Sequence, residues 1–409
     1  MNIINHISRL LLGALFVFSG FVKSVDPLGT TYKLFDYFKA GGAVIPENIA
    51  LILAITLCAA ELFIGLALLF NIRVRQISWL SLLFMVGFTL LTLVLALTNK
   101  VSDCGCFGDA YKLTNWQTFY KNLIILPFAI LVFWQRKSYK DGMGGLVSGC
   151  VLFFLLATSV WFNLYNLRHL PLINYRPYKI GQNIWMGMQT PPNAPADIYD
   201  IKLIYEKDGV KKEFSETNFP WQDTTWVFVE QKVTLVKKGY QTPIHDFSIL
   251  SPADGDITEK VLKHKGTQFL FISKNLANAD IENAKKANAI FAECQKQNIP
   301  FMCLTASSGA DVEKYRSQTG ALYPIYATDE TTLKTVMRSN PGLMMLYDGT
   351  ILGMWSGYDM PGPDFFKGNI FGKQLKIMDY EKNELWIAVL IAMLALFGCI
   401  LKAVRIFSR

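Results

Sequence analysis

Six apolar stretches constrain this chain more than any other feature: about Ile7 to Val22, Ile49 to Phe70, Ile77 to Leu97, Trp116 to Trp134, Leu146 to Leu167 and Leu385 to Leu401. Each is long enough to cross a bilayer core of roughly 30 Å. Backbone N–H and C=O groups find no water there, so each run is read as a helix that satisfies its own hydrogen bonds. A content of 52% hydrophobic and only 18% charged residues, with mean hydropathy +0.27, fits a multi-pass membrane protein and not a soluble enzyme. Almost everything from Arg168 to Glu384 is polar enough to be soluble.

Lys and Arg are retained on the cytoplasmic side of a membrane, so the short connections predict the orientation. Arg73 and Arg75 lie between the second and third spans, Arg136, Lys137 and Lys140 between the fourth and fifth, and Lys402, Arg405 and Arg409 after the sixth. The alternate connections balance their charges: Asp26, Asp36 and Glu47 against Lys33 and Lys39, then Asp103 and Asp109 against Lys100 and Lys112. Both termini are therefore expected in the cytoplasm of a bacterial inner-membrane protein. The loop around Cys104 and the segment 169–384 are expected in the periplasm, an oxidising compartment. Residues 168–384 carry 25 basic and 25 acidic residues, so the formal net charge of +8 belongs to the membrane part and no basic domain points to nucleic acid. The first span could pass for a signal peptide, but Phe18-Ser19-Gly20-Phe21-Val22-Lys23 offers no small-x-small cleavage site and is read as a retained helix.

Five segments are expected. Residues 1–140 form a four-helix membrane domain, 145–168 a fifth span, 169–243 a Pro-containing linker and β-rich module, 244–378 an α/β domain, and 384–409 a sixth span with a basic tail. Within 24–48, Tyr32, Leu34, Phe35, Tyr37 and Phe38 suggest a short amphipathic helix at the interface, covering the bundle's outer mouth or lining an entrance. Lys207-Asp208-Gly209 between Ile201–Tyr205 and Lys211–Phe214 is a hairpin signal, and Thr225 to Val229 and Lys232 to Val236 continue the strand pattern. Strand and helix then alternate. Strands are read at Phe269–Ser273, Phe301–Ala306, Leu343–Tyr347 and Ile351–Trp355, and helices at Ala279–Asn298, Ala310–Thr319 and Thr331–Met337.

Chemistry points to Asp103-Cys104-Gly105-Cys106-Phe107-Gly108-Asp109, two thiols separated by one glycine and flanked by acids, whereas the other five cysteines are scattered singly. A ring closed through one residue is strained, so a disulfide here suits exchange better than bracing. Three readings stay open: a redox pair, a structural bridge, and half a metal site. Metal would need further ligands from a chain whose only histidines are His6, His169, His245 and His264. Negative charge from Asp103 and Asp109 is expected to raise the thiol pKa and slow exchange. Cys58, Cys150 and Cys399 read as packing, and Cys294 and Cys303 as core thiols or a disulfide.

Glu61 falls midway along the second span. A carboxyl there is expensive in lipid, so it must face the bundle interior, as a proton relay or quinone-site partner, or as a neutral acid bonded to a neighbouring helix.

Four helices, an acid in the second, and Cys104-Gly105-Cys106-Phe107-Gly108 after the third resemble the DoxX superfamily and its MauE-like branch. That branch is linked to maturation of methylamine dehydrogenase, whose small subunit is rich in disulfides. The resemblance covers roughly residues 1–140. The α/β domain resembles the thioredoxin fold, with Asn340-Pro341 where that family places its cis-proline. It departs from the family at Ser273-Lys274-Asn275-Leu276-Ala277, where a Cys-x-x-Cys would sit, so it reads as a docking module and not a catalyst.

Two functions follow. In the first, Cys104 and Cys106 form an inner-membrane thiol–disulfide oxidoreductase that exchanges electrons between a periplasmic client protein and a membrane acceptor such as a quinone. In the second, a non-enzymatic scaffold anchored among membrane lipids docks an envelope protein through its thioredoxin-like domain.

Overall fold

The computed structural model describes residues 3–101, 103–139 and 145–378. Five helices are long and apolar enough to cross a membrane: α1 (Ile3–Val25), α3 (Glu47–Leu69), α4 (Val74–Thr98), α5 (Asn115–Trp134) and α6 (Gly145–Arg168). These are the first five apolar runs, each extended into its flanking polar residues. The sixth run and the basic tail, with Cys399, lie outside the described residues, as does Lys140. Between α1 and α3, Asp26 caps the short helix α2 (Pro27–Ala40), accepting from the Gly29 N–H, and Pro27 supplies a preset φ at its first position.

Small residues bring the membrane helices together. A Cβ placed on Gly20 would sit 2.4 Å from the Leu62 backbone nitrogen, and one on Gly65 would sit 2.4 Å from that of Val17. Helices α1 and α3 therefore cross backbone to backbone, the close packing that small residues permit in lipid. Polar side chains inside the bundle find partners. Arg9 donates to the Leu68 and Leu69 carbonyls at the open end of α3, Asn122 donates to Thr92 Oγ1 at 3.2 Å, and Asn163 to Ser24 Oγ at 2.9 Å.

Residues 183–247 form a compact unit of their own, and 169–182 pack with the larger unit. The smaller unit contains α7 (Ile184–Met188) and an antiparallel sheet in the order β2-β1-β3, from β1 (Ile198–Lys207), β2 (Val210–Ser215) and β3 (Val227–Lys237). The hairpin turns at Asp208 and Gly209, both at positive φ as a two-residue turn requires. The two runs expected at 225–229 and 232–236 are one strand. Glu230 and Gln231 continue the pairing opposite Ile204 and Leu203, because no Gly, Pro or Asn interrupts them.

The larger unit also holds a mixed sheet in the order β10-β9-β6-β7-β8-β4-β5. Its centre is β6 (Thr267–Ile272), parallel to β7 (Phe301–Thr305) and antiparallel to β9 (Gly342–Tyr347). The crossover from β6 to β7 runs through α9 (Ile281–Lys296), and α10 (Gly309–Thr319) and α11 (Glu330–Val336) follow. β9 and β10 (Thr350–Ser356) form the expected hairpin about Asp348-Gly349, and the Asn340–Pro341 bond is cis. The sheet edge formed by β8 (Ile325–Ala327), β4 (Leu250–Ser251) and β5 (Gly255–Asp256), with α8 (Thr258–Leu262), was not legible, since runs of two or three residues carry no period. Phe269, Phe271, Phe301, Tyr323 and Leu343 fill the core with Cys294 and Cys303, both free thiols buried in packing roles.

Candidate functional site

The loop between α4 and α5 is set into one end of the bundle. Its backbone turns through Gly105 at φ +60° and Gly108 at φ +51°, the left-handed region where a side chain is strained. Asp103 Oδ1 accepts from the Gly105 N–H at 3.0 Å, and Gly108 N–H donates to the Gly105 carbonyl at 3.0 Å. Two tight turns thus hold the cysteines on one side of the loop. Phe107 is the wedge: its ring meets Phe18 of α1 edge-on with centroids 5.2 Å apart, and Lys121 Nζ of α5 stands 4.3 Å above it.

Cys104 and Cys106 are free thiols hydrogen-bonded to each other. Cys104 is only 8% exposed. The hydrogen bond from Cys106, another from Thr118 and the positive charge of Lys121 together outweigh burial and bring the Cys104 thiol down to about 6. Cys106 is pushed up, because it gives its hydrogen to Cys104 and is largely desolvated, though its side chain is partly exposed. One member is thereby a thiolate and the other a thiol near neutral pH, the asymmetry an exchanging pair needs.

This corrects the expected influence of the flanking acids. Asp103 is spent on Lys33 of α2, Oδ2 to Nζ 2.9 Å, and Asp109 on Arg338, Oδ2 to Nη2 3.2 Å. Both charges are thus compensated, and the hydrogen bonds from Cys106 and Thr118, with a smaller contribution from the Lys121 charge, lower the Cys104 thiol.

Glu61 is brought to the same place. It is 2% exposed and faces the bundle interior, where its Oε1 lies 2.6 Å from Lys23 Nζ in α1. Ser19 links this ion pair to the loop, its Oγ being 2.9 Å from Glu61 Oε2 and 2.9 Å from the Cys106 carbonyl oxygen. A single hydroxyl proton faces two acceptors. Beside them a cavity of about 30 Å³ is lined by Ser19, Lys23, Glu61, Cys106, Lys121 and Asn122. That volume is room for water, which needs about 10–15 Å³ by the same measure. Cys58, one turn before Glu61, turns instead to Thr30 Oγ1 at 3.5 Å.

The sequence pointed to Cys104, Cys106 and Glu61 and missed Ser19, Lys23, Thr118 and Lys121. Lys23 and Lys121 lie at or inside the ends of apolar runs, where a lysine ordinarily reads as an interfacial anchor. Only tertiary packing turns them toward the cysteines. Among the described residues no group of three or more His, Cys, Asp or Glu comes together.

Helix α2 covers the loop. Lys33 lies across Gly105, with its Cγ 3.1 Å from where a Cβ would be, and the Tyr37 hydroxyl donates to the Cys104 carbonyl. The aromatic residues expected at a lipid interface are thus partly spent on protein: Tyr37 on this loop, and Tyr32 on Lys274, whose Nζ is 3.0 Å from its hydroxyl.

Fold and site together define a helical, multi-pass membrane protein with a paired-cysteine loop in the bundle mouth and a downstream mixed-sheet domain. Residues 1–135 match the family model described as methylamine utilisation protein MauE, so this part of the chain is a MauE-like membrane domain. Residues 199–238, the three-stranded sheet, match a domain of unknown function, DUF8463. The search of curated proteins returns no match.

Proposed function

We propose that the chain is an inner-membrane thiol–disulfide electron-transfer protein, with Cys104 and Cys106 as the reacting pair. The observation that carries this reading is geometric: two free thiols one residue apart, with Ser19 linking the Cys106 carbonyl to the Glu61–Lys23 pair beside a cavity that Cys106 lines; Cys104 is drawn toward thiolate and Cys106 toward thiol. A MauE-like domain fits a membrane protein involved in maturation or electron transfer.

In the oxidising direction, a thiolate of a periplasmic client attacks the Cys104–Cys106 disulfide and one sulfur leaves as thiolate. The client's second thiol then resolves the mixed disulfide, so the client gains a disulfide and the pair gains two electrons and two protons. Reoxidation returns both to a membrane quinone, which becomes a quinol. Ser19 and the Glu61–Lys23 pair are placed to take the protons from Cys106 through the adjoining water-sized cavity. That cavity is far below the roughly 300–1,000 Å³ of ordinary ligand pockets, so we place the quinone against the lipid-facing surface of the bundle. The reverse flow, supplying reductant outward, uses the same residues.

We read the sheet domain as thioredoxin-like, from its β6-α9-β7 crossover and the β9–β10 hairpin, and the bundle as DoxX-like. A second reading, a non-enzymatic scaffold, draws on the absence of cysteine at Ser273 to Ala277. The deciding experiment is the in-cell redox state of Cys104 and Cys106, by acid quenching and mass-tag alkylation, with and without depletion of quinone. An oxidised pair that accumulates reduced without quinone supports electron transfer. A disulfide that never changes state leaves the scaffold.

A further inference from the structure

The turn at which a Cys-x-x-Cys would sit in the sheet domain is occupied by a different task. Lys274, in that turn, reaches the Tyr32 hydroxyl within α2 at 3.0 Å and Oε1 of Glu47, the first residue of α3, at 3.1 Å. Arg338, three residues before the cis-proline, is buried and binds both oxygens of Asp26, the N-cap of α2, through Nε at 2.9 and 3.0 Å. Its Nη2 also meets Asp109, three residues after Cys106. The same end of the sheet domain thus holds α2 at its N-cap and at Tyr32, and meets the start of α3 at Glu47. Asn340 stiffens that end, accepting from Ser273 Oγ at 2.9 Å and donating to the Asn275 carbonyl at 2.9 Å.

Beneath α2 lie the cysteines. A cleft of about 910 Å³ opens between α2, the loop and the sheet domain, but it is lined by Gly105, Gly108 and the loop acids and not by Cys104 or Cys106. Cys104 is only 8% exposed, and Cys106 is partly exposed on the small cavity beside Ser19. Thiol–disulfide exchange requires an incoming sulfur to reach one of them, so a protein client cannot react while α2 is seated.

We infer that α2 is a lid over the cysteine pair and that the sheet domain is its clamp, an interaction face whose partner is the chain's own membrane domain. The lid's hinge lies at its C-terminal end, where Gly41 and Gly42 follow Ala40, Gly42 stands at φ +81° with open space around it, and Val44 is 95% exposed. Releasing Lys274 or Arg338 frees α2, and the loop's own ties, Lys33 to Asp103 and Tyr37 to Cys104, then yield to an approaching client. A protein that competes for Arg338 or Lys274 with acidic side chains would open the site as it binds.

This inference concerns access, and its test is independent of whether the pair transfers electrons. The full-length protein in native membranes is held reduced, and the rates at which Cys104 and Cys106 react with N-ethylmaleimide and with a polyethylene-glycol maleimide are compared. In Lys274→Glu and Arg338→Gln variants the bulky reagent is expected to gain on the small one, about tenfold or more for Arg338→Gln, since losing one member of a buried charge pair weakens the contact by at least that factor, and by less for Lys274→Glu, whose partner Glu47 is 53% exposed. Adding Glu47→Lys to Lys274→Glu restores the opposite charges and is expected to restore protection. An unchanged ratio in both release variants overturns the clamp, and so does a rise that the charge swap fails to reverse, which would mark local damage instead. A pair found permanently oxidised in cells would sink the redox reading and leave this result standing.

Discussion

The pair Lys23–Glu61 is the place where a single substitution should cost most. Their charged atoms are 2.6 Å apart, with side-chain exposures of 8% and 3%. At an effective dielectric constant near 20, two unit charges at that separation attract by about 6 kcal/mol. Withdrawing each ion from water costs several kcal/mol, so the intact pair is close to neutral in net stability, whereas removing one partner orphans the other at a cost of about 3–5 kcal/mol. Glu61→Gln and Lys23→Met are each expected to lose about that much, and the double variant much less than their sum, because neither charge is then left alone. The assay is a double-mutant cycle on the full-length protein in mild detergent or bicelles, with unfolding followed by tryptophan fluorescence against denaturant. Additive costs, agreeing to within about 0.5 kcal/mol as for independent sites, would refute the coupling and with it the placement of both groups in one buried site.

Three further outcomes are expected. Alkylation of Cys104 by a small reagent should rise through a midpoint near pH 6, because its thiol is brought down to about 6 and the reactive thiolate is present above that value. A midpoint near the ordinary thiol value of about 8.5 would contradict the hydrogen-bonding scheme. Thr118→Val removes one of the bonds to the Cys104 sulfur and should move the same midpoint upward; an unmoved midpoint would mean that Thr118 plays no part. Gly20→Leu must push α1 off Leu62, and overpacking of this kind costs about 1–3 kcal/mol or more, whereas Gly87→Ala, where a Cβ meets nothing within 4 Å, should be silent. Equal yields of folded protein from the two by size-exclusion chromatography would refute the close crossing of α1 and α3.

The membrane helices were legible because the bilayer imposes one solution on any long apolar run. The central strands were legible because Phe269 to Ile272 and Leu343 to Leu346 are buried on both faces and read as unbroken apolar runs. Most of the candidate site was legible in outline, since paired cysteines and an intramembrane carboxyl are rare enough to stand out. Its electrostatics were not. The acids beside the cysteines suggested a raised thiol pKa, but Lys33 and Arg338, distant by tens to hundreds of residues, neutralise them, and the hydrogen bond from Cys106, helped by Thr118 and Lys121, reverses the sign for Cys104.

By itself, then, the sequence determined the first five apolar helices, the positions of the two cysteines and Glu61, and the hairpin at Asp208-Gly209, because each is set by local composition, spacing or turn chemistry. Only the tertiary structure decided that Glu61 meets Lys23, that Ser19 ties that pair to Cys106, and that Lys274 and Arg338 hold α2 over the loop. Contacts between charged groups depend on distance in space and on the water excluded between them, and neither quantity is written in the order of residues along a chain.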